Sequence, residues 1–442
     1  MSTPPAHTVA VLGLGRLGAS IAARLAAQGR DVIGWTRSGR PADAVRTTAD
    51  PKDAVAQARL VLLALFDGPA CRQVLDEAGD SLAADTIVVN VSTVAHAEAT
   101  RLAQELGPCY VHAPVIGSVP AVTTGTLQIL AAASDATALE RARPVLEALG
   151  TVRPAPDAAT AAALKLIANQ GLAGTVLALR DTLRQADALG LPRAQVLDVL
   201  ELGHLGGLVA SRRHALEAPP SDAAAAGAGR ATFTIGALAK DLALLAAASG
   251  TPLRGASGVG DTPADPEADI AAAATAPAPG DAVLRPLRSY IRGHATGDAR
   301  HFRDAFLPTA RIEGIRDGAF TSWTLDEYCA LFPGRPAPDE PSRSRRIDAV
   351  DVHGTVATAT MTLHHGPDTF TDIFLLVRVG EEWRIANKAY HRRGTSRRGD
   401  HHRPAQDPGA DDHRPAGEAA PGPGTSASDT RGPDPESGDQ ET

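Results

Sequence analysis

The residues best suited to chemistry are also the scarcest. Among 442 residues carrying 43 Lys+Arg, four are lysine: Lys52, Lys165, Lys240 and Lys388. Asparagine stands only at Asn90, Asn169 and Asn387. Arginine stays protonated in any protein, whereas a lysine amine gives up its proton when its surroundings shift it. A chain that uses Arg nearly everywhere keeps Lys mainly where Arg cannot serve. Lys165 and Asn169 lie four apart in Ala163-Leu-Lys-Leu-Ile-Ala-Asn169, a helical pattern, so both project from one face. The rest of that face is apolar, which predicts a half-buried pair where the helix meets a sheet. Desolvation lowers a lysine pKa toward neutrality and suits it to general acid–base work. Asn169 is suited to hydrogen-bonding a substrate oxygen. Lys240-Asp241 opens another helical stretch and supplies the second interior lysine.

A second motif, Gly13-x-Gly15-x-x-Gly18, directly follows the apolar run Val9-Ala-Val-Leu12 and opens an Ala-rich helix. The first glycine permits the tight turn and the second admits a pyrophosphate to the backbone. The third lets helix and strand pack closely, with phosphate at the helix N-terminus. This context predicts a dinucleotide site. The next strand, Asp31–Thr36, ends in Trp35-Thr36-Arg37-Ser38-Gly39-Arg40. A carboxylate at its end would bind the ribose 2′-hydroxyl of NAD, and there is none. Arg37 and Arg40, with Ser38, suit a 2′-phosphate instead, so the cofactor expected is NADP(H). A solvated basic loop is the plainer alternative.

The elements that must position these residues alternate at first. Leu60–Leu65 and Thr86–Asn90 are continuous apolar runs, as in parallel strands buried on both faces. Cys109–His112 and Thr126–Leu130 read as later strands. From about Ala158 the pattern turns helical, through Leu189, Val196–Leu202 and Ile235–Ala248. Eleven of the 15 aromatic residues fall between Tyr290 and Tyr390, which argues for a second unit with its own core. That unit starts with an amphipathic helix, Asp281–Thr296. Alternating runs follow at Val350–Thr362, Thr369–Val379 and Glu382–His391, with a hairpin at Val379-Gly-Glu-Glu-Trp383. The fold class predicted is α/β: a Rossmann-type doubly wound parallel sheet plus an all-helical domain, then an α+β cone and a disordered tail. The boundaries are 1–155, 156–254, a Pro/Gly-rich linker at 255–280, 281–394, and a tail at 395–442. From Arg392 onward the chain has no Val, Ile, Leu, Met, Phe, Trp or Tyr to bury.

Composition narrows the function further. A net charge of −8 offers no basic patch for nucleic acid, and no uninterrupted apolar run approaches the ~18 residues of a membrane span. Cys71, Cys109 and Cys329 are too far apart for a disulfide framework or zinc knuckle, and the N-terminus has no leader pattern. The expectation is a cytoplasmic protein with a small-molecule substrate, no metal and no nucleic-acid or membrane partner.

Residues 8–250 resemble the β-hydroxyacid dehydrogenases, which include 3-hydroxyisobutyrate dehydrogenase, tartronate semialdehyde reductase and 6-phosphogluconate dehydrogenase. The resemblance rests on Gly13/Gly15/Gly18, Arg37-Ser38, Asn90-Val-Ser-Thr93, Lys165-x-x-x-Asn169 and Lys240-Asp-Leu. It implies that Lys165 is catalytic and that Asn169 orients the substrate. It places the cofactor on Gly13, Leu14, Gly15, Arg16, Leu17, Gly18, Thr36, Arg37, Ser38, Leu65, Phe66, Thr93 and Lys240. Ile116, Gly117 and Ser118 would contact the substrate. The family's Asp-Ala-Pro-Val-Ser-Gly-Gly loop is His112-Ala-Pro-Val-Ile-Gly-Ser118 here, which predicts a more apolar pocket. Glycines four and six residues before the lysine are Ala161 and Ala159.

Residues 281–394 resemble the nuclear-transport-factor-2-like superfamily and its lumazine-binding branch, through Tyr290–Asp298, Ala310–Ile315, Ser322–Tyr328 and Glu382–Lys388. The resemblance implies a cone with a central pocket that binds a ligand, catalyses or serves only in dimerisation. Phe370, Asp372 and Phe374 share one strand face, where a carboxylate between two aromatics could line such a pocket; Asp372 is read instead as a capped structural acid, because no partnered base is found. His364, His365, His401 and His402 are expected in solvent. The whole chain reads as an NADP(H)-dependent oxidoreductase acting on a small hydroxy acid or aldehyde acid, and as a homo-oligomer. An imine-reductase-like enzyme, suggested by Ile116, and a non-catalytic NADP(H)-binding sensor are the rival readings.

Overall fold

Short strands of Val, Ile and Leu with no polar face need cover on both sides, and the first unit supplies it with helices. The computed structural model describes residues 8–39, 45–217, 231–251, 259, 265–276, 280–316 and 318–393. It opens with β1 (Val9–Leu12), α1 (Arg16–Ala27), β2 (Val32–Trp35), β3 (Arg46–Thr48), α2 (Pro51–Ala56), β4 (Leu60–Leu63) and α3 (Gly68–Ala78). There follow β5 (Ile87–Asn90), α4 (His96–Leu106), β6 (Tyr110–His112), β7 (Val115–Ile116), α5 (Val119–Thr124), β8 (Leu127–Ala133), α6 (Ala136–Glu147) and β9 (Gly150–Pro154). The sheet order is β3-β2-β1-β4-β5-β6-β8-β7, with β9 on β8. Strands β1 to β6 pair in parallel, and β8 runs antiparallel to β6. Strand order therefore reverses between β1 and β4, where a doubly wound sheet opens a crevice at its carboxyl edge. Leu12, Leu62 and Leu63 are fully buried, each stabilising the fold by about 1.5–3 kcal/mol.

The helical part begins with α7 (Ala158–Ala188), capped by the Asp157 carboxylate on the Thr160 amide at 2.7 Å. Its buried residues, Ala158, Ala161, Ala162, Lys165, Leu166, Asn169, Ala173 and Val176, recur at three- and four-residue spacing. One stripe thus faces the protein and carries both polar candidates. α7 is long and apolar enough to cross a membrane by length and hydropathy; here that stripe packs on protein. α8 (Arg193–Glu201), α9 (Gly206–Glu217), α10 (Ile235–Ser249) and α11 (Ala271–Ala274) complete the part. The expected linker is corrected here. Val259, Ala268, Ile270, Ala271, Ala273 and Ala274 are buried in the helical core, and Asp269 pairs with Arg212 at 3.0 Å. Alanine-rich sequence looked like connector but serves close helix packing. Residues 255–258, 260–264 and 277–279 of that segment, and the predicted tail at 395–442, lie outside the described residues.

The cone comprises α12 (Asp281–Thr296), α13 (Arg300–Ala305), β10 (Phe306–Arg316), β11 (Ala319–Thr324), α14 (Leu325–Cys329) and four long strands: β12 (Ser344–His353), β13 (Val356–His365), β14 (Asp368–Val379) and β15 (Glu382–Arg393). Its sheet order is β11-β10-β15-β14-β13-β12. The predicted run Val350–Thr362 is not one strand but two halves of a hairpin, broken at Gly354, whose φ is +64°. The hairpin around Gly380 forms as read, pairing Val379 with Glu382. Two side-chain readings need correction. Asp372 does have a basic partner, Lys388, whose Nζ stands 2.8 Å from Oδ2. His365 is only half-exposed: its Nε2 accepts from Arg345 Nε at 3.0 Å and its ring lies 5.2 Å from that of His294. His364 is exposed, and His401 and His402 lie outside the described residues.

Candidate functional site

The carboxyl ends of β1, β4 and β5 and one face of α7 and α10 enclose a cavity of about 330 Å³. From the glycine turn it receives Gly15, Arg16, Leu17 and Gly18; from the loops after β4 and β5, Leu65, Phe66, Ser92 and Thr93; and from the helices, Lys165, Lys240 and Asp241. Gly13 has φ +102°, and a Cβ there would meet Ala64 O at 2.5 Å. A Cβ on Gly18 would stand 1.9 Å from Gly13 O, so α1 packs on β1 at a distance only glycine permits. At Gly15 nothing lies within 4 Å of a Cβ position. Gly15 is the N-cap of α1, no side chain caps that end, and its first turn holds no acid. An open backbone cradle and uncapped amides fit a pyrophosphate. Ser92 fixes the neighbouring loop, accepting from Leu65 N at 2.9 Å and donating to Leu63 O at 3.2 Å.

Lys165 is 7% exposed. Its Nζ donates to Asn169 Oδ1 at 3.0 Å, and Asn169 Nδ2 donates to Asp241 Oδ2 at 2.5 Å. Asp241, 2% exposed, also has Lys240 Nζ 2.6 Å from Oδ1, an ion contact without hydrogen-bond alignment. Lys240 in turn donates to Thr93 O at 3.0 Å and sits 5.2 Å from the Phe66 ring centre. The four side chains form one run across α7, α10 and the loop after β5. Burial pushes the Lys165 amine down to about 8 against the opposing pull of Asp241. An amine of that pKa can both hold and accept a proton near neutral pH.

Residues 8–162 match the family described as "NAD binding domain of 6-phosphogluconate dehydrogenase", and residues 278–391 match "Putative lumazine-binding". A probable 3-hydroxyisobutyrate dehydrogenase of Mycobacterium tuberculosis is 31% identical over 202 residues, covering 44% of this chain and 68% of the relative. The chain belongs to the 3-hydroxyisobutyrate dehydrogenase family. It is an oxidoreductase of the hydroxyacid dehydrogenase type with an NAD(P)-binding Rossmann domain, joined to a nuclear-transport-factor-2-like domain. A NAD-dependent L-serine dehydrogenase of Pseudomonas aeruginosa is 29% identical over 266 residues, 55% of this chain and 88% of that protein. The structure of a Mycobacterium tuberculosis 3-hydroxyisobutyrate dehydrogenase with L-serine superposes with TM-score 0.50 at 26% identity, over 61% of this chain and 98% of that one.

This member of the 3-hydroxyisobutyrate dehydrogenase family gathers most of the predicted site into one cavity, but not all of it. Gly13 and Leu14 do not line the cavity; the Leu14 side chain would abut any Cβ on Gly34. Thr36, Arg37 and Ser38 extend β2 beside the glycine turn, with Gly13 N bonded to Trp35 O at 2.9 Å, and Arg37 and Ser38 are exposed. Arg40 lies outside the described residues. Ile116 is corrected: it is 37% exposed, and Val115, Gly117 and Ser118 line the cavity instead. Val115 and Ile116 form β7, paired with Ile129 and Gln128, so successive side chains face opposite sides and Val115 takes the cavity side. Asn169 sits behind Lys165 with its carbonyl already engaged. His112 is fully buried against Tyr110 Oη at 3.0 Å, and burial drives its pKa down to about 3. Sequence reasoning named Asp241 without assigning it a role; its signal was a lone acid inside the apolar helix Ala-Leu-Ala-Lys-Asp-Leu-Ala-Leu-Leu. It missed Phe233, over whose ring Lys165 stands at 6.0 Å. It also missed Glu267, which pairs with Arg16 at 3.1 Å at the cavity edge.

Proposed function

We propose that the protein oxidises a small 3-hydroxy carboxylic acid, or reduces the matching aldehyde acid, with NADP(H) and with Lys165 as the general acid–base. The observation that carries this reading is a buried amine, with its pKa pushed down to about 8, facing the same cavity as the glycine turn. A nicotinamide cofactor supplies or takes up the hydride. Lys165 takes the hydroxyl proton on oxidation and returns it on reduction. Asn169, anchored by Asp241, holds the Lys165 ammonium in place through its carbonyl and so orients the substrate through Lys165. Lys240 ties α10 to the loop after β5 and keeps that wall closed. Gly117 and Ser118 offer the substrate carboxylate a backbone turn at the head of α5.

The substrate class draws support from relatives named for 3-hydroxyisobutyrate and L-serine, both three-carbon-backbone 3-hydroxy acids. NADP(H) is favoured by Arg37 and Ser38 beyond β2, although the Pseudomonas aeruginosa relative is named NAD-dependent. The imine reading rested on Ile116, which stands outside the cavity, so no observation favours it. The deciding experiment is a panel of 3-hydroxy acids with NADP⁺ or NAD⁺, monitored by nicotinamide absorbance. Turnover of a 3-hydroxy acid with preference for NADP⁺ is expected. Turnover of cyclic imines alone, or of nothing while NADP⁺ binds, would overturn the proposal.

A further inference from the structure

The wall of the dehydrogenase cavity nearest Lys165 is the loop that leads into α10. Thr232, Phe233 and Thr234 all line the cavity, and the Phe233 ring centre stands 6.0 Å from Lys165 Nζ. This loop precedes the first turn of α10, so its amides need partners from elsewhere. One carboxylate supplies them. Asp269 Oδ2 accepts from Thr232 N at 2.9 Å, from Thr232 Oγ1 at 3.1 Å and from Phe233 N at 3.3 Å. Its Oδ1 accepts from Arg212 Nε at 3.0 Å and from Ala271 N at 3.0 Å. Asp269 is 9% exposed. Burial opposes its ionisation, but Arg212 and the amides of Ala271, Thr232 and Phe233 outweigh burial and hold the carboxyl below its usual range. The backbone extends the clamp: Ile270 N donates to Phe233 O at 3.1 Å, Ile235 N to Ala268 O at 3.0 Å and Gly236 N to Pro266 O at 2.8 Å.

We propose that Asp269 is a positioning residue of the dehydrogenase site, whose Oδ2 holds Phe233 beside Lys165 and keeps water from that side of the amine. Its two oxygens divide the work. A carboxylate that only started α11 and paired with Arg212 would use Oδ1 alone, whereas Oδ2 serves the cavity loop and nothing else. The catalytic meaning rests on the role of Lys165 proposed above. Burial is the main cause of that amine's low pKa, and Phe233 is among the groups that bury it. The charged groups that face the amine across the cavity are Asp241 and Lys240 of α10, Arg16 of α1, and Glu267; none lies on the loop. Releasing the loop readmits water, which raises an amine pKa. The direct effects of losing Asp269 run the other way. Removing a negative charge, or drawing an aromatic face off an ammonium, lowers that pKa. A rise therefore reports the loop.

The test is competitive acetylation of the full chain with trace acetic anhydride, from about pH 6 to about pH 11. Only the neutral amine reacts, so labelling of the Lys165 peptide, read by mass spectrometry, follows the ionisation of that one lysine and needs no turnover. The native midpoint should lie at about 8. Asp269→Asn should raise it by about one pH unit or more, tenfold in the ionisation constant, and Asp269→Ala should raise it further. Arg212→Gln breaks the contact at Oδ1 and spares Oδ2; it should lower the melting temperature and leave the midpoint in place. An unchanged or lowered midpoint in Asp269→Asn would overturn the proposal, as would an equal rise in Arg212→Gln. Oxidation of L-serine or 3-hydroxyisobutyrate, followed alongside, should show its inflection move with the midpoint. A raised midpoint in Asp269→Asn combined with near-native turnover by Lys165→Met would support the clamp and refute the catalytic role of Lys165.

Discussion

Replacing Lys165 separates catalysis from mere placement of charge. Its amine, 7% exposed, has its pKa pushed by burial from an ordinary 10.5 to about 8. In the oxidation direction the neutral amine is required, so kcat/KM should rise about tenfold per pH unit up to about 8 and then level off. In reduction the protonated amine is required, and the rate should fall above that pH. Lys165→Arg keeps a cation that cannot release its proton; Lys165→Met keeps the stem alone. Both should lower turnover by about 10²–10⁴-fold while NADP⁺ binding changes little. Stability should move the other way. A folded-state pKa below the unfolded one means the fold disfavours the charged amine. That penalty is absent above about 10.5, grows as the pH falls, and is complete below about 8, where it reaches roughly 3 kcal/mol. Lys165→Met relieves it but leaves Asn169 Oδ1 without its donor, at about 1–3 kcal/mol. The Met variant should therefore be no less stable than the native protein in urea at pH 7. The assay is oxidation of L-serine or 3-hydroxyisobutyrate across pH 6–10, paired with urea melts. Near-native turnover by Lys165→Arg would refute the assignment.

Arg37→Ala should narrow the preference for NADPH over NADH by about ten- to a hundredfold in Kd, the value of one charge-assisted phosphate contact; equal native affinities would exclude that role. Asp241→Asn removes a charge that holds the Lys165 pKa up, so the inflection in the oxidation profile should move to lower pH and kcat/KM should fall, with NADP⁺ affinity little changed. The two glycine substitutions should part company when melting and cofactor titration are compared. Gly18→Ala drives a Cβ against Gly13 O and should destabilise the fold, whereas Gly15→Ala meets only open space; it should leave the melt unchanged and weaken cofactor binding.

How legible the molecule was depended on whether one element's pattern sufficed. Strands β1 and β4 are apolar throughout and β5 is apolar up to Asn90, so position and depth both followed from sequence. α7 was equally plain because its buried stripe holds the helical period from Ala158 to Ala186. The short strands β3, β7 and β9 carry no such pattern: Arg46–Thr48 is largely exposed, and it is strand only because β2 offers a free edge. The segment 265–276 was misread because alanine and proline look alike as connector, whereas the small alanine side chain is what lets α11 press against α7. Ile116 was misplaced for a different reason. Position 116 is the second residue of β7, where alternation turns Val115 to the cavity and Ile116 to the other face, and a two-residue strand leaves no pattern in the sequence.

The scarcity of lysine carried further than any single motif, and the structure explains why. Lys52 is exposed. The other three sit at cavity walls, each tied to a buried acid: Lys240 to Asp241 directly, Lys165 to the same acid through Asn169, and Lys388 to Asp372. Arginine forms ion pairs readily, so pairing alone does not explain the choice. A guanidinium is planar and larger, and its five donors must all be met once it is buried. An ammonium needs three partners at most and leaves room beside it for a ligand. Lysine therefore suits a buried cation that must leave space beside it, as Lys165 and Lys240 do at the wall of the cavity over the glycine turn.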